Sequence, residues 1–174
     1  MTEPAQAAHP ERPIAGHLRQ ARAAVRAARM AYLRVRYAGK LEVGENSWLG
    51  AGAVLAAPDF VRIGRDVAIG RDFHVEANLR VGDGVLISSR VAIVGNDHRF
   101  DHTEQNIFWA GRLPSPTVVL EGDNLLGFGT TVIGPAAIAR GCVVGAGSVV
   151  TGDLPPDSIC VGAPARPVRV RSRL

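Results

Sequence analysis

His98 lies inside the stretch "IVGNDHRFDH", residues 93–102, with Asp97 beside it and His102 four residues on. An imidazole is the side chain whose ordinary pKa lets it gain or lose a proton near neutral pH, so proton transfer is the chemistry this position offers. His74, 24 residues upstream, raises a second option, a three-histidine metal site with His98 and His102. In a six-residue repeat that separation puts His74 and His98 at different corners, so no metal site is expected. Near the other end, Arg166 and Arg169 carry guanidinium groups suited to bidentate pairing with phosphate.

The elements that must position these groups show in the spacing of aliphatic residues. Ile63, Ile69, Val75, Val81, Ile87 and Ile93 stand six apart, and the same interval returns at Leu120, Leu126, Val132, Ile138, Val144 and Val150. A weaker series, Val43, Leu49 and Leu55, precedes a two-residue insertion at Pro58 and Asp59. A helix has no use for period six, and a long strand has period two. Short strands joined by tight corners do, and stacked coils then bury an aliphatic column at about 4.8 Å per layer. Glycine follows the aliphatic residue at 64, 70, 82, 127 and 145, where a tight corner is expected to need a permissive backbone.

The rhythm stops at His98. Residues 99–117 form an excursion too long for an ordinary turn, and Phe100, Ile107, Phe108, Trp109 and Leu113 make it too apolar for a disordered linker. These side chains do not fit a narrow aliphatic prism, so a second copy of the chain is the expected cover, the alternative being a loop folded back on its own coil face. Upstream, Leu18, Ala21, Val25, Ala28, Tyr32 and Val35 form a helical stripe with arginines opposite. It is expected to cover one end of the domain, with its arginine face either solvated or in peripheral contact with a membrane or lipid carrier.

Composition sets the limits. The 174 residues suit one domain, 47% hydrophobic but only 5% aromatic, so aliphatic side chains must build the core. Two cysteines, Cys142 and Cys160, give no disulfide framework, and Cys142 falls at a small interior repeat position. No apolar run is long enough to span a bilayer and no secretory h-region opens the chain, so a cytoplasmic protein is expected. The net charge of +4 is concentrated: eight basic residues and no acidic one lie from Arg12 to Lys40, and the remainder carries 12 basic against 16 acidic groups. That distribution does not resemble a nucleic-acid face.

Over about residues 41–170 the repeat resembles the hexapeptide-repeat acyltransferases. The resemblance implies a mainly β fold: a left-handed parallel β-helix of hexapeptide repeats, three units per turn, with an N-terminal amphipathic α-helix and one long extruded loop. The left hand comes from the family, since the usual crossover rule gives the right hand. The expected segments are a mobile 1–12, a helix over 13–40, the β-helix over 41–160 with its loop at 99–117, and a basic tail over 161–174. The family implies a homotrimer with sites between neighbouring subunits.

"VLISSRVAIVGNDH" resembles the stretch that ends in "TGH" in galactoside, maltose and nodulation-factor O-acetyltransferases. The resemblance implies that His98 is a general base that activates an acceptor hydroxyl for direct attack on acetyl-coenzyme A. "VVGAGSVVTGDLPPDSICVGAPARPVRVR" resembles the family's C-terminal motif. It implies Ala146 and Thr151 against the pantetheine or adenine part and Arg166 and Arg169 on the phosphates, with Gly127 and Phe128 near the thioester channel. Three positions depart from the family: Leu125 replaces a tryptophan, Phe128 a small residue, and Gly152 a lysine. Asn78, at a different repeat position from the sugar-binding asparagine of the galactoside enzymes, joins Asp97, His102 and Trp109 as a candidate for the acceptor. The implied reaction is O-acetylation of a saccharide hydroxyl; N-acylation of an amino sugar and a non-catalytic β-helix scaffold are the alternatives.

Overall fold

The computed structural model describes residues 16–95, 97–101 and 103–172; the expected mobile segment 1–12 and His102 lie outside them. One helix is followed by a parallel β-helix. The first coil comprises β1 (Leu41–Val43), β2 (Trp48–Leu49) and β3 (Val54–Leu55), and the second β4 (Val61–Ile63), β5 (Ala68–Ile69) and β6 (His74–Val75). The third holds β7 (Asn78–Val81), β8 (Leu86–Ile87) and β9 (Ala92–Val94), and the fourth β10 (Thr117–Leu120), β11 (Leu125–Leu126) and β12 (Thr131–Ile133). The fifth is β13 (Ala136–Ile138), β14 (Val143–Val144) and β15 (Val149–Val150), after which β16 (Ser158–Gly162) starts a sixth turn and β17 (Ala165–Val170) closes the chain.

Each coil adds one strand to each of three sheets. Sheet A runs β1-β4-β7-β10-β13, sheet B β2-β5-β8-β11-β14-β16-β17, and sheet C β3-β6-β9-β12-β15. All pairings are parallel except β16 with β17. The prism is the left-handed β-helix that the period-six pattern and its family resemblance lead one to expect, with Ile63, Val81, Leu120 and Ile138 stacked on sheet A. Leu49, Ile69, Ile87, Leu126, Val144 and Cys160 form the equivalent column inside sheet B, each nearly or wholly excluded from solvent. Filling the narrow interior with aliphatic residues removes their surface from water without any large aromatic except Phe73.

The glycines expected at corners serve another purpose. A Cβ on Gly64, Gly70, Gly82 or Gly127 would meet the backbone of the next coil at under 3 Å, and one on Gly145 the Val161 side chain, so these positions are bare because the coils approach closely. The left-handed backbone falls two or more residues later, on Asn46, Asp66, Asp72, Arg90, Asp123 and several other glycines. Most of these non-glycine residues are Asn or Asp, whose short polar side chains tolerate that conformation best.

Helix α1 spans Gly16–Arg36 and ends in a turn at 37–40, where Tyr37 N–H donates to the Leu33 carbonyl. Its anchoring differs from expectation. The residues buried against the first coil are Met30 and Leu33, with Tyr37 packed beside them. Leu18, Val25, Tyr32 and Val35, on the stripe expected to cover the domain, are 49%, 56%, 59% and 79% exposed. The body-facing residues satisfy the open end of the ladder: Leu49 N–H donates to Met30 Sδ at 3.3 Å and Leu55 N–H to the Tyr37 hydroxyl at 3.4 Å. Arg29 donates to the Leu49 carbonyl at 3.5 Å, and Arg26 stacks 4.2 Å above the Trp48 ring.

The C-terminal segment also differs from a basic tail. From Ala165 the chain pairs antiparallel with β16, and Arg171 N–H donates to the Asp157 carbonyl at 2.6 Å. Ala165 is buried at the head of β17, and Arg171 reaches Asp123 Oδ2 at 2.9 Å. No helix among the described residues is long and apolar enough to cross a membrane.

Candidate functional site

His98 follows β9 at the corner where sheet C gives way to sheet A. The chain leaves the prism there and returns at β10, and the two arms of the excursion are stitched at the base. His98 and Arg112 form an antiparallel bridge; Arg99 N–H donates to the Gly111 carbonyl and Leu113 N–H to the Asp97 carbonyl, both at 2.9 Å. The histidine is half-buried, and its Nδ1 is enclosed without a hydrogen-bond partner among the described residues.

The far end of the excursion is ordered by its own bonds. Asn106 caps a 3₁₀ turn over Ile107–Trp109, its side-chain oxygen accepting from Phe108 N–H at 2.9 Å, while Gln105 Nε2 donates to the Trp109 carbonyl at 3.3 Å. Phe108 and Trp109 meet edge to face, ring centres 4.8 Å apart. Ile107, Phe108 and Trp109 are 55%, 70% and 73% exposed, so this turn presents a fixed apolar knob to solvent.

Gly127, Phe128 and Ala146 meet at a different corner, between sheets B and C. A Cβ on Gly127 would collide with Ala146 backbone, and the Phe128 carbonyl accepts from Gly147 N–H at 2.8 Å, so two successive coils are locked there. The Phe128 ring is exposed, with the Arg90 guanidinium 5.6 Å from its centre. It ends a shallow groove on the outer face of sheet B, lined by Trp48, Leu86, Ser88, Ser89 and Leu125. Arg166 stands opposite Val161 in the final hairpin, whose Gly162 N–H donates to Ser148 Oγ at 3.2 Å and so ties the hairpin to the same corner. Arg169 pairs with Ile159 further along, and both arginines are exposed.

The structure therefore gathers the candidate residues into two groups. Asp97, His98 and Trp109 belong to the excursion at the C–A corner, and Thr151, just past β15, lies on that side of the prism too. Gly127, Phe128, Ala146 and Arg166 belong to the B–C corner, the full width of sheet C away. Asn78 belongs to neither. It is 5% exposed, its oxygen accepts from Asp59 and Phe60 N–H at 3.0 and 3.3 Å, and its nitrogen donates to Asp59 at 2.8 Å. Its amide braces the insertion at Pro58 and Asp59, and an acceptor has no access to it.

Two features escaped the sequence reading. His74 Nε2 lies 2.8 Å from Glu76 Oε1 on the outer face of sheet C, a pairing that the period-two geometry of a strand makes legible from the i, i+2 spacing. Arg90, at φ 59°, reaches Phe128 from the coil below, a contact that only the stacking register reveals.

No family model matches the chain. It is 32% identical over 136 residues to the galactoside O-acetyltransferase of Escherichia coli K12, a match that covers 73% of this chain and 62% of that protein. It is 30% identical over 145 residues to the WbbJ protein of the same organism, named for O-acetyl transfer in lipopolysaccharide biosynthesis, covering 78% of this chain and 74% of the relative. Among solved structures, a hexapeptide-repeat acetyltransferase of Vibrio cholerae superposes with a TM-score of 0.69 at 27% identity, over 85% of this chain and 82% of that one. The chain spans about half the length of several of the curated relatives it matches. The coil-by-coil register, the excursion at the third coil and these likenesses agree: the chain belongs to the hexapeptide-repeat acetyltransferases.

Proposed function

We propose that the protein transfers an acetyl group from acetyl-coenzyme A to a hydroxyl of a saccharide, with His98 as general base, in a homotrimer whose site lies between neighbouring copies. The observation that carries this reading is His98 itself, held at the stitched base of the excursion with Nδ1 enclosed. Nε2 is then the nitrogen that meets substrate. It takes the hydroxyl proton as the acceptor oxygen attacks the thioester carbonyl; the carbon–sulfur bond breaks, and the proton passes to the departing thiolate. A general base of this kind contributes about 10²–10⁴ in rate.

Neither cysteine forms a covalent intermediate in this scheme. Cys142 and Cys160 are fully buried in the prism, and burial pushes the Cys142 thiol up to about 11. The donor's anionic end meets the exposed Arg166 and Arg169, its pantetheine or adenine part meets Ala146, and its thioester end meets Gly127 and Phe128. These residues and His98 lie at different corners of one prism, so a joint site needs the C–A corner of one copy facing the B–C corner of the next. The exposed knob at Ile107–Trp109 and the apolar groove at Trp48, Leu86, Leu125 and Phe128 suit such a head-to-tail contact, which closes into a ring when its rotation permits. Thioester cleavage by the purified protein, dependent on an added saccharide and lost in His98→Ala, tests the reading. Donor cleavage at the wild-type rate in that variant overturns it.

A further inference from the structure

Helix α1 buries only its last turns. Residues 17–28 whose side chains are described are exposed on every side, and Leu18, Val25, Tyr32 and Val35 face away from the coil that Met30 and Leu33 contact. At 3.6 residues per turn, Leu18, Ala21, Val25, Ala28, Tyr32 and Val35 fall on one stripe, with Arg22, Arg29 and Arg36 along one edge of it. The helix holds six arginines and no acidic residue. That one-sided charge argues against another copy of α1 as the cover, because the helices would repel. A solvated face accounts for the arginines but not for four large apolar side chains in line.

We propose that α1 docks the protein on an anionic phospholipid bilayer, lying in the plane of the surface. The apolar stripe enters the boundary between headgroups and acyl chains, and Arg22 and Arg36 along its edge stay at the level of the lipid phosphates. Arg29 and Arg26 are engaged by Leu49 and Trp48, which couples the lipid-facing helix to the first coil. The body, whose remaining charge is acidic, stays in water above the surface.

The test is co-sedimentation of the full chain with vesicles of phosphatidylcholine alone and of phosphatidylcholine with about one third phosphatidylglycerol. The expected result is partition at least about tenfold stronger onto the anionic vesicles, weakened strongly by 0.5 M salt. Leu18→Asp/Val25→Asp should lose about tenfold or more of that partition while circular dichroism and thioester cleavage stay at wild-type levels; Arg22→Gln/Arg36→Gln should lose the preference for anionic lipid. Equal partition of wild type and the double Asp variant overturns the proposal. So does absence of anionic partition by the wild type, or dissociation of a wild-type oligomer by Leu18→Asp/Val25→Asp, which would make a second copy the occupant.

Discussion

His98 and Arg112 face one another across the base of the excursion as an antiparallel pair. The bridge ties the histidine backbone to both arms of the loop, so His98 sits at the hydrogen-bonded base of the excursion and not on its free end. His98→Ala should therefore leave the fold intact and lower kcat by about two to four orders of magnitude, with little change in donor affinity. Steady-state kinetics beside a thermal melt separates the two effects, and a variant that keeps more than about a third of wild-type kcat removes His98 as the base.

Phe128 is the departure from the family pattern with the clearest chemical reach. A ring beside the thioester would either narrow the acyl channel or line a re-routed pocket; if it narrows the channel, acetyl-coenzyme A should be preferred over longer donors. Phe128→Ala should admit butyryl and longer chains, each methylene being worth about 1–3 kcal/mol of discrimination at most. Arg166→Ala should instead weaken all donors by a similar factor. A ladder of acyl-coenzyme A esters measured as kcat/KM decides the matter; an unchanged chain-length profile in Phe128→Ala places the ring away from the acyl group.

The knob at Ile107–Trp109 ought to govern assembly. Deletion of residues 103–113 should convert a trimer to smaller species in light scattering and abolish acceptor-dependent turnover, while the melting of the prism changes little. A wild-type protein that is monomeric at micromolar concentration and fully active contradicts this.

Asn78→Ala should act on stability alone. Removing its amide leaves the Asp59 and Phe60 N–H groups without their acceptor, at a cost of about 1–3 kcal/mol each where they are shielded from water. The expected result is a lower denaturation midpoint with acceptor KM unchanged. A raised acceptor KM at undiminished stability would return Asn78 to the substrate site.

The two thiols should be silent in the native protein. Cys142 and Cys160 have Sγ atoms 3.9 Å apart, both within reach of Ser158 Oγ, and neither is exposed. With the Cys142 thiol raised to about 11, chiefly by burial, only about one molecule in a thousand carries that thiolate at pH 8. Iodoacetamide should label neither residue until denaturant is added, and rapid native labelling would show that the last coils open.

The architecture was legible because period six admits few structures: the residues at that interval from Ile63 to Val150 line the interior. Even the exit point of the excursion could be located, since Ile93 starts the third face of one coil and Leu120 the first face of the next. The helix was visible as a helix, but a periodic stripe does not say which surface covers it, and Met30, Leu33 and Tyr37 took the place expected for Leu18 and Val25. The corner glycines were placed correctly and explained wrongly, because close approach between coils leaves no trace in local sequence. Asn78 misled for the same reason: its partner Asp59 lies 19 residues away, one coil back. The final strand was hidden because every residue of it but Ala165 is exposed and it carries two arginines, so it read as a solvated tail.

The reversal of β17 has a further consequence, for what the molecule does not do. A solenoid of parallel coils ends in rungs whose N–H and C=O groups are ready to receive another rung, and identical chains stacked end to end would grow into a fibre. Here sheet B terminates on an antiparallel strand that carries Arg166, Arg169 and a proline, Pro167. At the opposite end Met30, Arg29 and Tyr37 already occupy the first rung's free hydrogen-bonding groups at Leu49 and Leu55. The repeat is thus obstructed at both ends against stacking of copies, by β17 on sheet B and by α1 at Leu49 and Leu55 of the first coil.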